Sequence, residues 1–304
     1  MASASVAWKR ESSRERAPKT IRRPPPVSGY LSGKGTAVDL SPEIKAHYGH
    51  DDIYRRILTA LRQADIDPAT ATIEDLAPID QFHTGGLPAT KALAERSEIN
   101  SDSQVFDAGC GIGGPARFLA KTYGCNVVGM DLADDFIEAA GPLNVLLGLA
   151  DKVSCAVGDI ATTGLDGDAF DVVWSQNVLM NIEDKAAALK EAHRILKPGG
   201  TLVMQAVMED NPGARDYPVP WAPSADIDFL VTSADFQRTT TDAGFTITAW
   251  EESRAGPSRP PTFSSPSLNF SVIMRFPDFG VLMKNVLASA QRGLLVPVVA
   301  VLTK

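Results

Sequence analysis

Between residues 104 and 208 the chain alternates short apolar runs with amphipathic stretches of helical period, the pattern of βαβ units around a mostly parallel sheet. The spacing predicts strands at Gln104–Phe106, Asn126–Met130, Lys152–Val157, Phe170–Trp174 and Thr201–Met208. One intervening helix starts at Pro115, where a missing N–H costs nothing, and lines up Ala116, Leu119, Ala120 and Tyr123. Another sets Ala188, Leu189, Ala192, Ile195 and Leu196 on one stripe and stops at Pro198-Gly199-Gly200. Past the fifth strand come a stretch rich in Pro, Asp and aromatics, a short helix opened by Thr232 or Ser233 and closed by Gly244, and strands Thr246–Trp250 and Val296–Leu302. The roughly forty-five residues between those last two strands are too many for a hairpin loop, so they read as a functional insertion.

Ahead of the sheet, a helical cap is expected from Ser41-Pro42 to Arg96, with Ile53, Ile57, Leu58 and Leu61 on one face. The organisation is therefore a leader (1–40), a cap (41–100) and a core (101–304) whose segments 209–231 and 255–293 reach over the site. The formal charge of −8 is unevenly placed: residues 1–26 hold seven Lys and Arg against two Glu, and the remainder is strongly acidic. An acidic body argues against nucleic acid as a partner and for a small molecule. The leader reads as a disordered tail, with an organellar targeting segment as the alternative.

No run of eighteen apolar residues occurs; Gly293 to Leu302 is too short for a span and contains Pro297. Three cysteines, with no CxxC, suit a reducing compartment and a cytoplasmic protein, and four histidines without HExxH leave no metal site expected. A monomer or a homodimer fits equally well.

The chemistry centres on Val105-Phe106-Asp107-Ala108-Gly109-Cys110-Gly111-Ile112-Gly113-Gly114, a strand running through glycines into a helix. Gly109, Gly111 and Gly114 satisfy GxGxxG, and Asp131 ends the second strand twenty residues beyond Gly111, where a ribose-binding acid belongs. That supports a nicotinamide-dependent oxidoreductase. Asp107 opposes it, because a carboxylate two residues before the first glycine repels a pyrophosphate and attracts a cationic ligand. Gly158-Asp159-Ile160 adds an acid and an apolar neighbour at the end of strand three, suited to an adenine's amine and face.

Taken together, FDAGCGIGG (106–114), VVGMDL (127–132), GDI (158–160), FDVVWSQNVLMNI (170–182) and LKPGG (196–200) resemble the class I S-adenosylmethionine-dependent methyltransferases, of the small-molecule type that includes the sarcosine/dimethylglycine, tocopherol and ubiquinone-pathway enzymes. The resemblance covers roughly residues 75 to 304. It implies an α/β, Rossmann-like doubly wound seven-stranded sheet with an antiparallel last strand, and S-adenosyl-L-methionine as cofactor. It implies that Asp107 and the Ala108–Gly111 backbone hold the methionine end, that Asp131 takes the ribose hydroxyls with Leu132 against the adenine, and that Gly158, Asp159 and Ile160 frame the adenine. Ser175, Gln176 and Asn177, with Trp174, would form the floor between cofactor and acceptor.

Methyl transfer from a sulfonium is an in-line displacement from an activated leaving group, so alignment supplies much of the rate, roughly 7 to 11 kcal/mol in favourable cases. Amine or thiol acceptors need no strong base, whereas hydroxyl or carbon acceptors usually do. His83, in Asp80-Gln81-Phe82-His83-Thr84-Gly85-Gly86, is the candidate base, with a loop histidine satisfying backbone as the alternative; Gln81 would contact the cofactor carboxylate. Many relatives carry a histidine where this chain has Asn181, which favours amine or thiol acceptors over hydroxyls; a nitrogen acceptor is the leading expectation, with S-, O- or C-methylation as the alternative. Gln176, Asn177 and Asn181 complete the candidate acceptor site. Tyr217 and Trp221 either pack on the acceptor through their rings or pin their loop to the core. His193 reads as packing, His47 and His50 are uninformative, and Phe270, Phe276 and Phe279 read as core or lid packing.

Overall fold

The computed structural model describes residues 52–253, 268–274 and 278–304. The leader, Ser41-Pro42, His47, His50, Phe276 and the whole loop from Ala255 to Ser267 lie outside the described residues.

Seven strands form one sheet: β1 (Gln104–Ala108), β2 (Asn126–Asp131), β3 (Val153–Val157), β4 (Phe170–Gln176), β5 (Leu196–Glu209), β6 (Thr246–Glu252) and β7 (Leu295–Thr303). Their order is β3-β2-β1-β4-β5-β7-β6; β1 to β5 run parallel and β7 is antiparallel to both neighbours. The central strands are apolar on both faces because both are covered. Phe106, Val173, Leu202 and Val298 face one core, and Val105, Val172, Trp174 and Val203 face the other. Pro297 survives between two neighbours because β6 has run out at its level: Glu252 pairs with Val298, and only the carbonyl of Pro297 is used, by Ser253 N–H at 2.9 Å.

The predicted strands form where the apolar spacing puts them, and most run one to two residues further at one or both ends. The exception is β5, which begins at Leu196 rather than Thr201. The Lys197–Gly200 turn pairs with the chain end, Gly199 N–H donating to Lys304 O at 3.2 Å.

Among the described residues the cap comprises α1 (Ile53–Gln63), α2 (Ile73–Asp80) and α3 (Gly86–Ala94). Thr72 starts α2 through a capping box with Asp75. On α1, Ile53, Ile57, Ala60 and Leu61 are buried, and they pack with Phe136 and Leu143 of α5 (Asp134–Leu146). Helix α4 (Gly114–Tyr123) follows the glycine-rich turn, α6 (Lys185–Ile195) leads into β5, and α7 (Ser233–Asp242), capped by Thr232, precedes β6. His193 packs edge-on to Phe245 at 5.1 Å, as the sequence reading expected.

The insertion between β6 and β7 contains a short 3-10 turn at 270–272 and α8 (Phe279–Gln291). No helix among the described residues is long and apolar enough to cross a membrane.

Candidate active site

The carboxyl ends of β1, β2, β3 and β4 open onto a cleft of about 900 Å³ counting its mouth. Gly109, Gly111, Asp131, Leu132, Gly158 and Ile160 line one end, and His83, Gln176 and Asn181 line the other, so nine of the sequence-derived residues converge on one space.

The glycine-rich turn spends its amides on itself. Gly109 and Cys110 N–H donate to Met130 O at 2.8 and 3.0 Å, Gly111 N–H to Asp131 Oδ2 at 2.8 Å, and Gly113 N–H to Cys110 O at 2.9 Å. A turn so committed presents no nest of N–H groups to an anion. The start of α4 is also covered, since a Cβ on Gly114 would stand 2.1 Å from the Asp80 carbonyl oxygen. Where a dinucleotide fold leaves room for a pyrophosphate on the helix N-terminus, this chain packs the end of its own α2. The nicotinamide reading fails on that contact and on the antiparallel β7.

A buried ion pair locks the covering. Arg117 of α4 donates to Asp80 Oδ2 at 2.9 Å, to Ile112 O at 2.7 Å and to Asn144 Oδ1 at 3.0 Å, with both charged side chains essentially inaccessible. Burial raises the Asp80 carboxyl, and Arg117 pulls it back.

Asp131 lines the cleft, its oxygens accepting from Gly111 and Ala133 (3.0 Å). A carboxylate has about four acceptor sites, so two remain for hydroxyls. Burial raises its proton affinity against those amide bonds. Asp107 stands behind the turn and does not line the cleft. One oxygen takes the Ala116 amide and Oδ2 is buried with no partner, while burial and the neighbouring Cys155 and Asp131 push its carboxyl well up. An acid with spare acceptors on the cleft wall suits the hydroxyls of a ribose, whereas Asp107, expected from the sequence to hold the methionine end, sits behind the turn out of reach of the cleft.

Other sequence-derived residues sit elsewhere. Ala108 and Ser175 are buried below the cleft. Asp159 is exposed and caps its own turn through Ala161 N–H at 2.8 Å, so only Gly158 and Ile160 of that triplet reach the cleft. Asn177, at φ 53°, donates to Thr84 Oγ1 at 3.0 Å instead of lining the wall. Tyr217 and Trp221 also stay out of the cleft. The Tyr217 hydroxyl donates to Asp228 Oδ2 at 2.6 Å, the Trp221 indole to Asp228 Oδ1 at 3.1 Å, and Arg215 completes the cluster at 2.9 Å. A buried carboxylate needs such partners, so the two aromatics pin their loop to the core.

Gln81 is fully buried and turned away from the cleft: its Oε1 takes the Thr90 hydroxyl at 2.6 Å. His83 Nε2 lies 2.9 Å from Thr90 Oγ1 and 3.1 Å from Gln81 Oε1. Burial lowers its pKa to about 4, against a small opposing pull from the Thr84 carbonyl, so the ring is neutral at physiological pH. Gln176 Oε1 accepts from Trp174 Nε1 at 3.0 Å while its Nε2 donates to Gln205 at 3.0 Å. Asn181 donates to Trp221 O at 2.7 Å, tying the 209–231 segment to the floor.

The sequence analysis expected the 255–293 insertion to reach over the site but did not identify the contacts that seat it. Phe82 of the cap packs edge-on to Phe270 of the insertion at 4.9 Å, Ile273 enters the cleft wall, and Arg56 of α1 holds the carbonyls of Val272 and Ile273. Helix α8 binds the 209–231 segment, Asn285 donating to Pro218 O at 2.9 Å. No periodicity links these segments, so the only signal was the excess length between β6 and β7. Among the described residues no group of three or more His, Cys, Asp or Glu is placed to hold a metal.

Residues 106–204 match the family described as "Methyltransferase domain". The chain carries a class I S-adenosylmethionine-dependent methyltransferase domain. This methyltransferase domain is 36% identical over 121 residues to phosphoethanolamine N-methyltransferase 1 of Arabidopsis thaliana, covering 40% of this chain and 24% of that protein. It is 25% identical over 175 residues to the glycine/sarcosine/dimethylglycine N-methyltransferase of Actinopolyspora halophila, covering 58% of this chain and 31% of that one. The chain thus spans about a quarter of the length of the plant enzymes it matches. Among solved structures, geranyl diphosphate C-methyltransferase of Streptomyces coelicolor superposes with a TM-score of 0.63 at 17% identity, over 89% of this chain and 99% of that one, which shows the fold. S-adenosylmethionine is the cofactor of the methyltransferase domain, and the spare acceptors of Asp131 on the cleft wall fit its ribose.

Proposed function

We propose that this chain transfers the methyl group of S-adenosylmethionine to the nitrogen of a small-molecule amine. The observation that carries the reading is His83, an uncharged imidazole on the cleft wall whose pKa near 4 makes it a hydrogen-bond acceptor rather than a strong base. An alcohol needs a better proton acceptor than that, whereas a neutral amine brings its own lone pair. Both relatives described above are N-methyltransferases by name, which supports nitrogen.

When bound, the cofactor supplies a methyl group on a sulfonium whose leaving group is a neutral thioether. The chain's residues bind and orient. Asp131 would take the ribose hydroxyls, with Leu132 and Ile160 against the adenine. Phe82, Val178 and Ile182 keep water from the acceptor end and favour the uncharged amine. His83 would accept the amine N–H and so aim the lone pair at the methyl carbon; the N–C bond would form as the C–S bond breaks, the electron pair staying on the thioether sulfur and the ammonium proton passing to solvent. Gln176 and Asn181 position the floor through the bonds they already make.

Calorimetric titration of the full chain with S-adenosylhomocysteine and with NAD, followed by transfer of labelled methyl from S-adenosylmethionine to panels of amines, thiols and alcohols, tests the reading. Micromolar binding of the first ligand alone and label on an amine are expected. Label confined to thiols or alcohols overturns the nitrogen assignment, and binding of NAD alone overturns the whole reading. The second reading, S- or C-methylation of an apolar acceptor, is favoured by the Phe82–Phe270 roof.

A further inference from the structure

Three polar atoms crowd one hydroxyl at the Nε2 edge of His83. Thr90 Oγ1, fully buried on α3, lies 2.6 Å from Gln81 Oε1, 2.9 Å from His83 Nε2 and 3.2 Å from Gln176 Oε1. Two of those identities are fixed by chemistry. The Trp174 indole only donates, so the Gln176 atom it meets is the carbonyl oxygen. A 2.6 Å contact from a hydroxyl is an O–H···O distance, so Gln81 presents its oxygen to Thr90, while its buried amide nitrogen makes no hydrogen bond.

Thr90 has one proton, and the shortest contact claims it for a glutamine carbonyl. The Thr90 oxygen then needs a donor, and the imidazole is the one group in contact that has a proton to give. His83 Nε2 also stands 3.1 Å from Gln81 Oε1, a contact that is attractive only when Nε2 carries hydrogen. The reverse assignment, with the proton on Nδ1, would set two carbonyl oxygens against lone pairs. It would gain only the Thr84 carbonyl at 3.4 Å, beyond the usual N–H···O range. The Nδ1 edge is also the exposed side of the ring, and the Nε2 edge is the partly buried one.

We propose that Thr90, with Gln81, is a positioning residue that fixes neutral His83 as its Nε2–H tautomer and leaves the bare Nδ1 as the atom that accepts the N–H of the methyl acceptor. The identity of that acceptor rests on the reading given above; the tautomer does not. Gln176 and Gln205 extend the lock, because Gln205 donates to the Thr84 carbonyl at 2.9 Å and so fixes the loop that carries the ring.

Nitrogen-15 NMR of the histidine side chains in the full chain, assigned by comparison with His83→Asn, tests this without any acceptor. At pH 7 the His83 Nε2 resonance is expected in the protonated range and Nδ1 in the unprotonated range. Thr90→Val should shift both resonances toward a mixture of tautomers, lower kcat on the amine found above at least tenfold, and leave S-adenosylhomocysteine affinity within twofold; Thr90→Ser should restore the wild-type pattern. A protonated Nδ1 in the wild type, or a Thr90→Val spectrum identical to it, overturns the inference. If Thr90→Val does not fold, the wild-type and Thr90→Ser spectra still decide. An Nε2–H ring in a protein that methylates no amine would sink the functional reading alone, and an Nδ1–H ring in one that does would sink the tautomer lock alone.

Discussion

The two ends of the cleft are built differently. The cofactor end comes from a single run, residues 109–160, taken from the end of β2 and the turns that directly follow β1, β2 and β3. The acceptor end is assembled from the α2–α3 loop, the loop after β4 and the insertion before β7, held together by Phe82 on Phe270, Asn181 on Trp221 and Arg56 on the 270–272 turn. A short-range site survives changes elsewhere in the fold, whereas a long-range one depends on every docking contact between its pieces. The Asp80–Arg117 pair is where the two halves are joined, since it seats the cap on the cofactor turn.

Breaking that joint should have the largest effect. Arg117→Met leaves Asp80 buried without its cation and should destabilise the fold by about 3 to 5 kcal/mol, read by denaturant unfolding. A loss below about 1 kcal/mol would mean the cap is seated by its apolar face alone.

The next test concerns His83 by itself. Its folded pKa, near 4, lies below the unfolded value of 6.5, so the unfolded chain binds the extra proton between those limits. Stability relative to His83→Asn should therefore be full above pH 6.5 and fall as the pH drops to about 4, by at most about 3 kcal/mol. A flat difference would show that the native ring titrates like the unfolded one and would remove the weakened basicity on which the nitrogen assignment rests.

Asp131→Ala probes the cofactor end. It should weaken S-adenosylhomocysteine binding by about a hundredfold, close to 2.7 kcal/mol, with a smaller cost in stability from the Gly111 and Ala133 amides it leaves unpaired. Unchanged affinity in calorimetry would remove the ribose assignment.

Tyr217→Phe should have the smallest effect. It removes one hydrogen bond to the buried Asp228 carboxylate and should cost about 1.5 kcal/mol in thermal unfolding without moving the KM for the acceptor. A rise in KM would return the aromatic to the acceptor site and blur the division between the two ends.

The sequence was most legible where function is local. Gly109, Gly111, Asp131, Leu132, Gly158 and Ile160 were placed correctly on the cleft because strand ends and tight turns project a fixed distance from the residues that make them. Asp159 was misplaced for a local reason: a short acid after glycine satisfies its own turn more readily than it reaches a ligand. Tyr217 and Trp221 offered two readings, and nothing within their own loop could choose between them. The choice lay with Asp228, which folds back from beyond the loop to collect both.

By itself the sequence determined the seven strands, the glycine-rich turn and Asp131 at the end of β2, because periodicity and glycine content act over a few residues. Tertiary structure alone decided that Asp80 covers the helix terminus a pyrophosphate would need, that Phe82, Phe270 and Ile273 form one roof, and that Thr90 reaches the buried nitrogen of His83. Those contacts join residues 7 to more than 180 positions apart, and they are set by how whole elements pack rather than by any local pattern.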